Sequence, residues 1–150
     1  VQTSIPPATQ YSLGGIQKLL DARVGHLPMV GSEWLGWSGK NPEIILNWES
    51  AVNFEAIEIA LLKQEESWIY LPEMLEIESS LDGKQFNVVK TFGPNEIREN
   101  FKPDLPLRIE LPKLAFQFLR LRFKQHTEIP EGKPGAGSPP WLFLSEIMLH

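Results

Sequence analysis

The sequence predicts an all-β fold, an antiparallel β-sandwich, on three observations. At least seven short segments alternate apolar with polar residues, the period of a strand with one buried and one wet face. Thirteen prolines and eleven glycines concentrate between those segments, so each strand stops early at a defined loop or turn. No long amphipathic helix and no internal repeat accompanies them, which sets aside α/β sheets and solenoids. A jelly roll is the natural closure for this many antiparallel strands.

Residues 1–12 read as extended, but Pro6 and Pro7 lack the N–H groups that a central strand needs. Gly14-Gly15-Ile16-Gln-Lys-Leu-Leu20 forms one short helical turn before Asp21, and a glycine-rich loop over 22–40 then holds Trp34 and Trp37. The first firm strand sets Ile44, Leu46 and Trp48 against Ile45, Asn47 and Glu49. A turn at Asn53 leads to the second, with Ile57, Ile59 and Leu61 on one side. The 64–72 loop carries Trp68 and Tyr70 and is closed by Pro72. Next comes a hairpin. Leu75, Ile77 and Leu81 alternate with Glu76, Glu78 and Ser80, which form its wet face, and the return strand runs from Phe86 to Phe92. Asp82-Gly83 between them suits the positive φ angles of a tight hairpin turn.

Residues 93–106 are polar and proline-interrupted, so they read as loop with at most an edge segment. Leu107, Ile109 and Leu111 define one further strand; Leu119, Leu121 and Phe123, with Arg120 and Arg122 opposite, define another. The 125–140 stretch, dense in proline and glycine, is a long ordered loop. The closing segment, Trp141 to Leu149, is apolar on both faces except at Ser145 and Glu146. Such a strand belongs in the middle of a sheet, covered twice.

A chain of 150 residues is one domain with a single core. It starts at a valine and reads as a piece of a larger protein, excised from the C-terminal part. With a formal charge of −5 and scattered Lys and Arg, it lacks the concentrated basic surface that nucleic acid requires. No stretch approaches the roughly 20 apolar residues of a membrane span. No cysteine is present, so disulfide and thiolate chemistry are excluded. No nucleophile elbow, P-loop or dinucleotide fingerprint appears, and Glu76 and Glu78 fit a wet strand face better than an acid/base pair.

Two sets of residues carry candidate chemistry. Trp34, Trp37 and Trp68, with Tyr70, lie in loops, where an aromatic face can stack on a sugar ring or plug the open end of the sandwich. Arg23, His26, Arg98, Asn100 and His126 are the loop donors able to reach hydroxyls, while Trp48 and Trp141 fall on strand patterns and belong to the core. Glu146 lies on a buried strand, and a buried carboxylate needs a cation or several donors. Calcium, with six to eight oxygen ligands, satisfies that need; so does an arginine such as Arg23, Arg120 or Arg122.

Six segments occur in an order that resembles one family: Trp34-Leu-Gly-Trp37-Ser-Gly39, Ile44-Ile-Leu-Asn-Trp48, Ser67-Trp-Ile-Tyr-Leu-Pro72, Ser80-Leu-Asp-Gly-Lys-Gln-Phe86, Phe118-Leu-Arg-Leu-Arg122 and Trp141-Leu-Phe-Leu-Ser-Glu-Ile147. Together, over residues 13–149, they resemble the discoidin, or coagulation factor type C, domain with its galactose-binding-like fold. The Trp-Ile-x-Leu-Pro form and the Pro134-Gly-Ala-Gly137 loop look like the version appended to bacterial glycoside hydrolases, β-N-acetylhexosaminidases of Bacteroidetes type among them. The resemblance implies an eight-stranded jelly roll without catalysis of its own, exported with its parent enzyme. It implies loops at one end that bind sugar, lipid head group or protein. It also implies a structural calcium, with Asp21, Ser32 and Glu146 in the places of the family's ligands. The sequence departs from that pattern at Ala22, where glycine is common, and Arg23 follows directly, an electrostatic alternative to the metal.

The expectation is therefore a carbohydrate-binding accessory module of a glycoside hydrolase, with Arg23, His26, Trp34, Trp37, Trp68 and Tyr70 as ligand contacts. The alternative is a structural module packed on its parent catalytic domain with no soluble ligand, the loop tryptophans forming the interface.

Overall fold

The computed structural model describes residues 1–12 and 14–150; Leu13, where the family resemblance begins, lies outside them. The described residues form nine strands: β1 (Gln2–Thr3), β2 (Leu35–Ser38), β3 (Glu43–Val52), β4 (Ala56–Leu61), β5 (Met74–Ser80), β6 (Asn87–Phe92), β7 (Leu107–Glu110), β8 (Phe116–Lys124) and β9 (Trp141–Leu149). They make a five-stranded sheet in the order β1-β3-β8-β5-β6 and a four-stranded sheet in the order β2-β9-β4-β7. Every pairing between these strands is antiparallel, so the sandwich is as expected, with the two-residue β1 as the strand beyond eight. Its brevity follows from Pro6 and Pro7, which confine that segment to an edge.

The core lies between the sheets. Ile44, Leu46, Leu75, Ile77, Leu119, Leu121 and Phe123 come from one side, and Ile57, Ile59, Leu107, Ile109, Leu142, Leu144 and Ile147 from the other. Each such aliphatic side chain removed from water contributes roughly 1.5–3 kcal/mol. β9 sits between β2 and β4, in the middle of its sheet as its two apolar faces predict. Its outward Phe143 packs with Trp34, Leu62 and Ile69 in a second cluster, bordered by Tyr11, Met29 and Trp141.

Several expectations are corrected. The 22–40 segment is not all loop, because it contains β2, whose Trp37 faces the core. Residues 93–106 contain a helix, α1 (Pro94–Asn100), opened by Pro94 and by Glu96, whose Oε2 accepts the Gly93 N–H at 2.9 Å. Leu81 lies beyond the end of β5 and is 63% exposed. Glu78 is on the outer face as predicted but is dry, at 6% exposure. Arg120 Nε donates to its carboxylate, and the same guanidinium lies 4.0 Å over the Phe86 ring, roofing that part of the sheet.

The β5–β6 connection is longer than a two-residue turn. Asp82 Oδ1 accepts the N–H groups of Lys84 (2.8 Å) and Gln85 (2.9 Å) and the Ser80 hydroxyl (2.9 Å), with Gly83 at φ +71°. Those donors, the Gln85 N–H foremost, hold the Asp82 carboxyl below the usual range.

Candidate functional site

β4 ends and β5 and β9 begin at one end of the sandwich, and the loops there are stitched together. Trp141 N–H donates to Trp68 O at 2.8 Å, and Tyr70 N–H to Trp141 O at 3.1 Å, so the 64–72 loop is hung on the first residue of β9. Trp68 closes the 3-10 turn Glu65–Ser67 in the left-handed region, φ 64° and ψ 21°, a conformation that costs a bulky residue energy and needs outside support. That support comes from the 125–140 loop. Gly135 lies against the Trp68 pyrrole, so close that a Cβ there would fall 2.6 Å from its Cδ1. Tyr70 Oη donates to Pro134 O at 2.8 Å, and Lys133 Nζ reaches Glu65 Oε2 at 3.2 Å.

A cleft of about 230 Å³ opens beside these contacts, lined by Lys63, Glu65, Tyr70, Arg98, His126 and Lys133 on a floor that includes Leu71, Pro72, Pro94 and Pro130. Glu65 Oε1 also lies 3.5 Å from Lys63 Nζ. His126 Nδ1 meets Glu73 Oε1 at 2.8 Å, and Arg98 bonds to Asn95 Oδ1 within α1. Burial raises the Tyr70 phenol above its ordinary range, Glu65 and Glu66 adding to the effect and Lys133 opposing it. The hydroxyl therefore stays a neutral donor.

The predicted ligand contacts divide. Trp68 (42% exposed) and Tyr70 meet at this end of the sandwich, and Arg98 and His126 join Tyr70 in the cleft. Trp34 and Trp37 are corrected, since they are 3% and 1% exposed; Trp37 belongs to the core, and Trp34 shows only an edge to a groove apart from this cleft. Trp37 Nε1 donates to Ile5 O at 2.9 Å inside the core, and Gly25 seals the Trp34 indole. Asn100 donates to Glu96 O in its own helix.

Arg23 and His26 line a different recess, of about 500 Å³, with Lys18, Val24, Ser32 and Glu33. His26 N–H donates to Glu33 Oε2 at 2.8 Å, and its ring Nδ1 lies 2.9 Å from Oε1. These contacts, the backbone N–H first, hold the Glu33 carboxyl below its ordinary range. Sequence reasoning missed Lys63, Glu65 and Lys133. Their signal is positional, since each adjoins or occupies a loop already marked by an aromatic or a proline–glycine motif.

The pairing of β4 with β9 slips at Ser145, where Ala60 faces Glu146 but Leu61 faces Leu144. A bulge of this kind re-aims side chains; Ser145 Oγ takes the Gly25 N–H at 3.0 Å and Glu146 Oε2 the Arg23 N–H at 2.8 Å. Asp21 Oδ1 accepts the same Arg23 N–H at 3.0 Å. Among the described residues no arginine side chain answers Glu146: its donors are the backbone N–H groups of Arg23 and Ile147, while Arg120 and Arg122 pair with Glu78, Glu43 and Glu76. Burial raises the Glu146 carboxyl above its ordinary range, and the Asp21 side chain adds to this against the Arg23 and Ile147 N–H groups. A buried carboxylate short of positive charge suits a hard cation. Among the described residues, however, no three acidic, His or Cys side chains group closely enough to hold one by themselves, so carbonyl or hydroxyl oxygens would have to complete the shell.

No family model matches the chain, and no curated protein sequence does. Solved structures do. The C-terminal domain of a chitobiase from Bacteroides fragilis is 19% identical with a TM-score of 0.59, over 100% of this chain and 90% of that one. Chitosan-binding module 1 of a chitosanase/glucanase from Paenibacillus sp. IK-5 is 12% identical with a TM-score of 0.61, over 99% and 92%. The fifth CBM32 module of a GH89 protein from Clostridium perfringens, in complex with GalNAc-β-1,3-galactose, is 11% identical with a TM-score of 0.61, over 99% and 91%. This chain shares the β-sandwich fold of those modules.

Proposed function

We propose that this domain is a non-catalytic carbohydrate-binding module, accessory to a larger exported glycoside hydrolase. The observation that carries the reading is the cleft at the loop end, lined by Tyr70, Arg98, His126, Lys63 and Lys133, with the half-exposed Trp68 outside that lining but braced by the same 125–140 loop. An apolar ring and a few convergent donors are what a sugar needs, its ring face stacking while its hydroxyls take N–H and O–H bonds. The fold supports it, being shared with a module named as chitosan-binding and another solved with GalNAc-β-1,3-galactose. A β-N-acetylhexosaminidase parent, of the kind found in Bacteroidetes, fits the likeness to the chitobiase domain.

The test is a thermal melt of the domain across mono- and disaccharides, galactose and N-acetylglucosamine included. A ligand bound only by the folded state raises the midpoint by mass action. A rise with one sugar, abolished in Trp68→Ala or His126→Ala, supports the reading. No rise with any sugar at tens of millimolar sinks it.

We also propose that calcium sits at Asp21 and Glu146, with Ser32 as the third side-chain ligand, stapling the 21–25 segment to β9. EDTA then lowers the midpoint and calcium restores it, and Glu146→Gln is blind to both. An EDTA-insensitive wild type removes the metal from the account.

One observation favours the docking alternative. Leu20, Val24, Leu27, Val30 and Leu105 are each more than 40% exposed, and Val24, Leu27 and Leu105 share one groove with Trp34. An apolar patch of this kind suits packing on a parent catalytic domain. Leu27→Asp would then destabilise the full parent chain but not the isolated domain.

A further inference from the structure

The lining of the cleft at the loop end carries more basic than acidic side chains, in a chain whose formal charge is −5. Its lining holds Lys63, Arg98 and Lys133 against the single carboxylate of Glu65, with His126 in addition. Both lysines lean on that one carboxylate, at 3.5 Å and 3.2 Å, so Glu65 neutralises only one of them. Two other carboxylates stand at the margin. Glu73 holds His126, and Glu66 is near enough to act on the Tyr70 phenol.

Arg98 is the informative residue. Of the five arginines, Arg108, Arg120 and Arg122 are each paired with glutamates. Arg98 has no carboxylate partner among the described residues, and its one side-chain hydrogen bond goes to Asn95 Oδ1. Arg98 is an exposed residue of the cleft lining. Three cations that share one lining carboxylate are incompletely neutralised, and neutral hydroxyls do not complete that neutralisation. A carboxylate completes it, and the planar guanidinium fork suits a carboxylate in bidentate contact.

We propose that the cleft selects an acidic sugar, a uronic acid residue whose ring carboxylate meets Arg98 and the lysine pair while the ring lies toward Tyr70 and Trp68. This rests on the reading of the cleft as a carbohydrate site and names the class of sugar.

The test compares oligogalacturonate with the matching neutral galacto-oligosaccharide on the intact domain, by calorimetry at low and at 0.5 M salt, a concentration that shortens the screening length to about 4 Å. A charge-assisted fork is worth about tenfold or more in affinity. The uronate therefore binds at least about tenfold more tightly than the neutral sugar at low salt, and the ratio shrinks at high salt. Arg98→Gln lowers the ratio toward one, while Lys84→Gln, in the β5–β6 turn, leaves it unchanged. Unliganded melts of both variants check that the fold is intact. A sulfated galactan serves as a third arm: if it binds as well as the uronate in the wild type, selection is for anions at large and the carboxylate assignment is overturned. If neutral and acidic sugars bind equally, the acidic preference falls and the carbohydrate reading stands. If no sugar binds, both fall.

Discussion

The support of Trp68 by the 125–140 loop can be tested with a single methyl group. Gly135 and Gly137 have nearly the same backbone conformation, φ +81° and +84°, in the same loop. A Cβ on Gly137 would meet nothing within 4 Å, whereas a Cβ on Gly135 would lie 2.6 Å from Trp68 Cδ1 and Nε1 and 2.7 Å from Cδ2. Alanine at either position incurs the same left-handed backbone cost, about 1–2 kcal/mol. Gly135→Ala adds an overlap that ordinary contact distances relieve only if the indole withdraws by about 1 Å. Forced repacking of this kind costs about 1–3 kcal/mol. Trp68 is 42% exposed and has room to swing, which places the expected increment at the low end, near 1 kcal/mol.

Urea unfolding with linear extrapolation measures both variants. The expected order is wild type, then Gly137→Ala, then Gly135→Ala, the last two separated by about 1 kcal/mol, or about 2–4 °C in Tm for a domain of this size. In a Trp68→Ala background the two alanines should cost the same, which closes a double-mutant cycle on the contact. If Gly135→Ala and Gly137→Ala are equal with Trp68 present, the loop does not brace the ring, and the account of a preorganised site fails.

Two further outcomes follow from the same geometry. Trp34 and Trp37 are almost equally buried, but Trp37 Nε1 has Ile5 O as its acceptor whereas Trp34 Nε1 is buried with none; Trp37→Phe should therefore cost more than Trp34→Phe, by about 1–3 kcal/mol from the stranded carbonyl on one side and the relieved donor on the other. A reversed order in urea midpoints contradicts the assignment. For pH, the Asp82 carboxyl is held below its unfolded value, which is near 3.9. Its contribution is thus complete above that value and is lost as pH falls through the folded one. The Tm gap between wild type and Asp82→Asn should be constant from neutral pH down to about 5 and then narrow toward pH 2.5; a gap that widens on acidification would reverse the sign.

Most of the sandwich was legible because strands announce themselves by period. The strand segments from Ile44 onward, the apolar pair of faces on β9 and the edge position forced by Pro6 and Pro7 all follow from rules that act within a few residues. Helix α1 was hidden because one buried residue, Ile97, gives a seven-residue helix too little apolar pattern to read. Glu78 looked wet because alternation reports which face a side chain takes, and not what lies over that face. Here Arg120 and Phe86 lie over it. The loop end was half legible. Tyr70, Trp68, Arg98 and His126 were marked by chemistry, whereas Lys63, Glu65 and Lys133 acquire meaning only when the 64–72 and 125–140 loops meet.

The tryptophans were misjudged because of glycine. In Trp34-Leu-Gly-Trp37-Ser-Gly39 the glycines suggested a loop, and a loop suggested exposed rings. Gly36 is instead a strand residue, and a Cβ there would fall 2.9 Å from Phe143 Cζ and 3.1 Å from Tyr11 Cβ. Glycine in a strand marks a place where something large approaches the backbone. Gly25 does the same for Trp34, whose Cε2 lies 2.4 Å from where a Cβ would be. Close approach of backbone to ring is thus how this chain buries Trp34, and how it braces Trp68 with Gly135. The difference between them is what covers the other face. The Trp34 ring is enclosed with Leu62, Ile69 and Phe143, whereas Trp68 is backed by Gly135 and still keeps 42% of its surface open. Of the three tryptophans first assigned to loops, only Trp68 is both backed by a glycine and substantially exposed, which is the condition that stacking on a ligand would need.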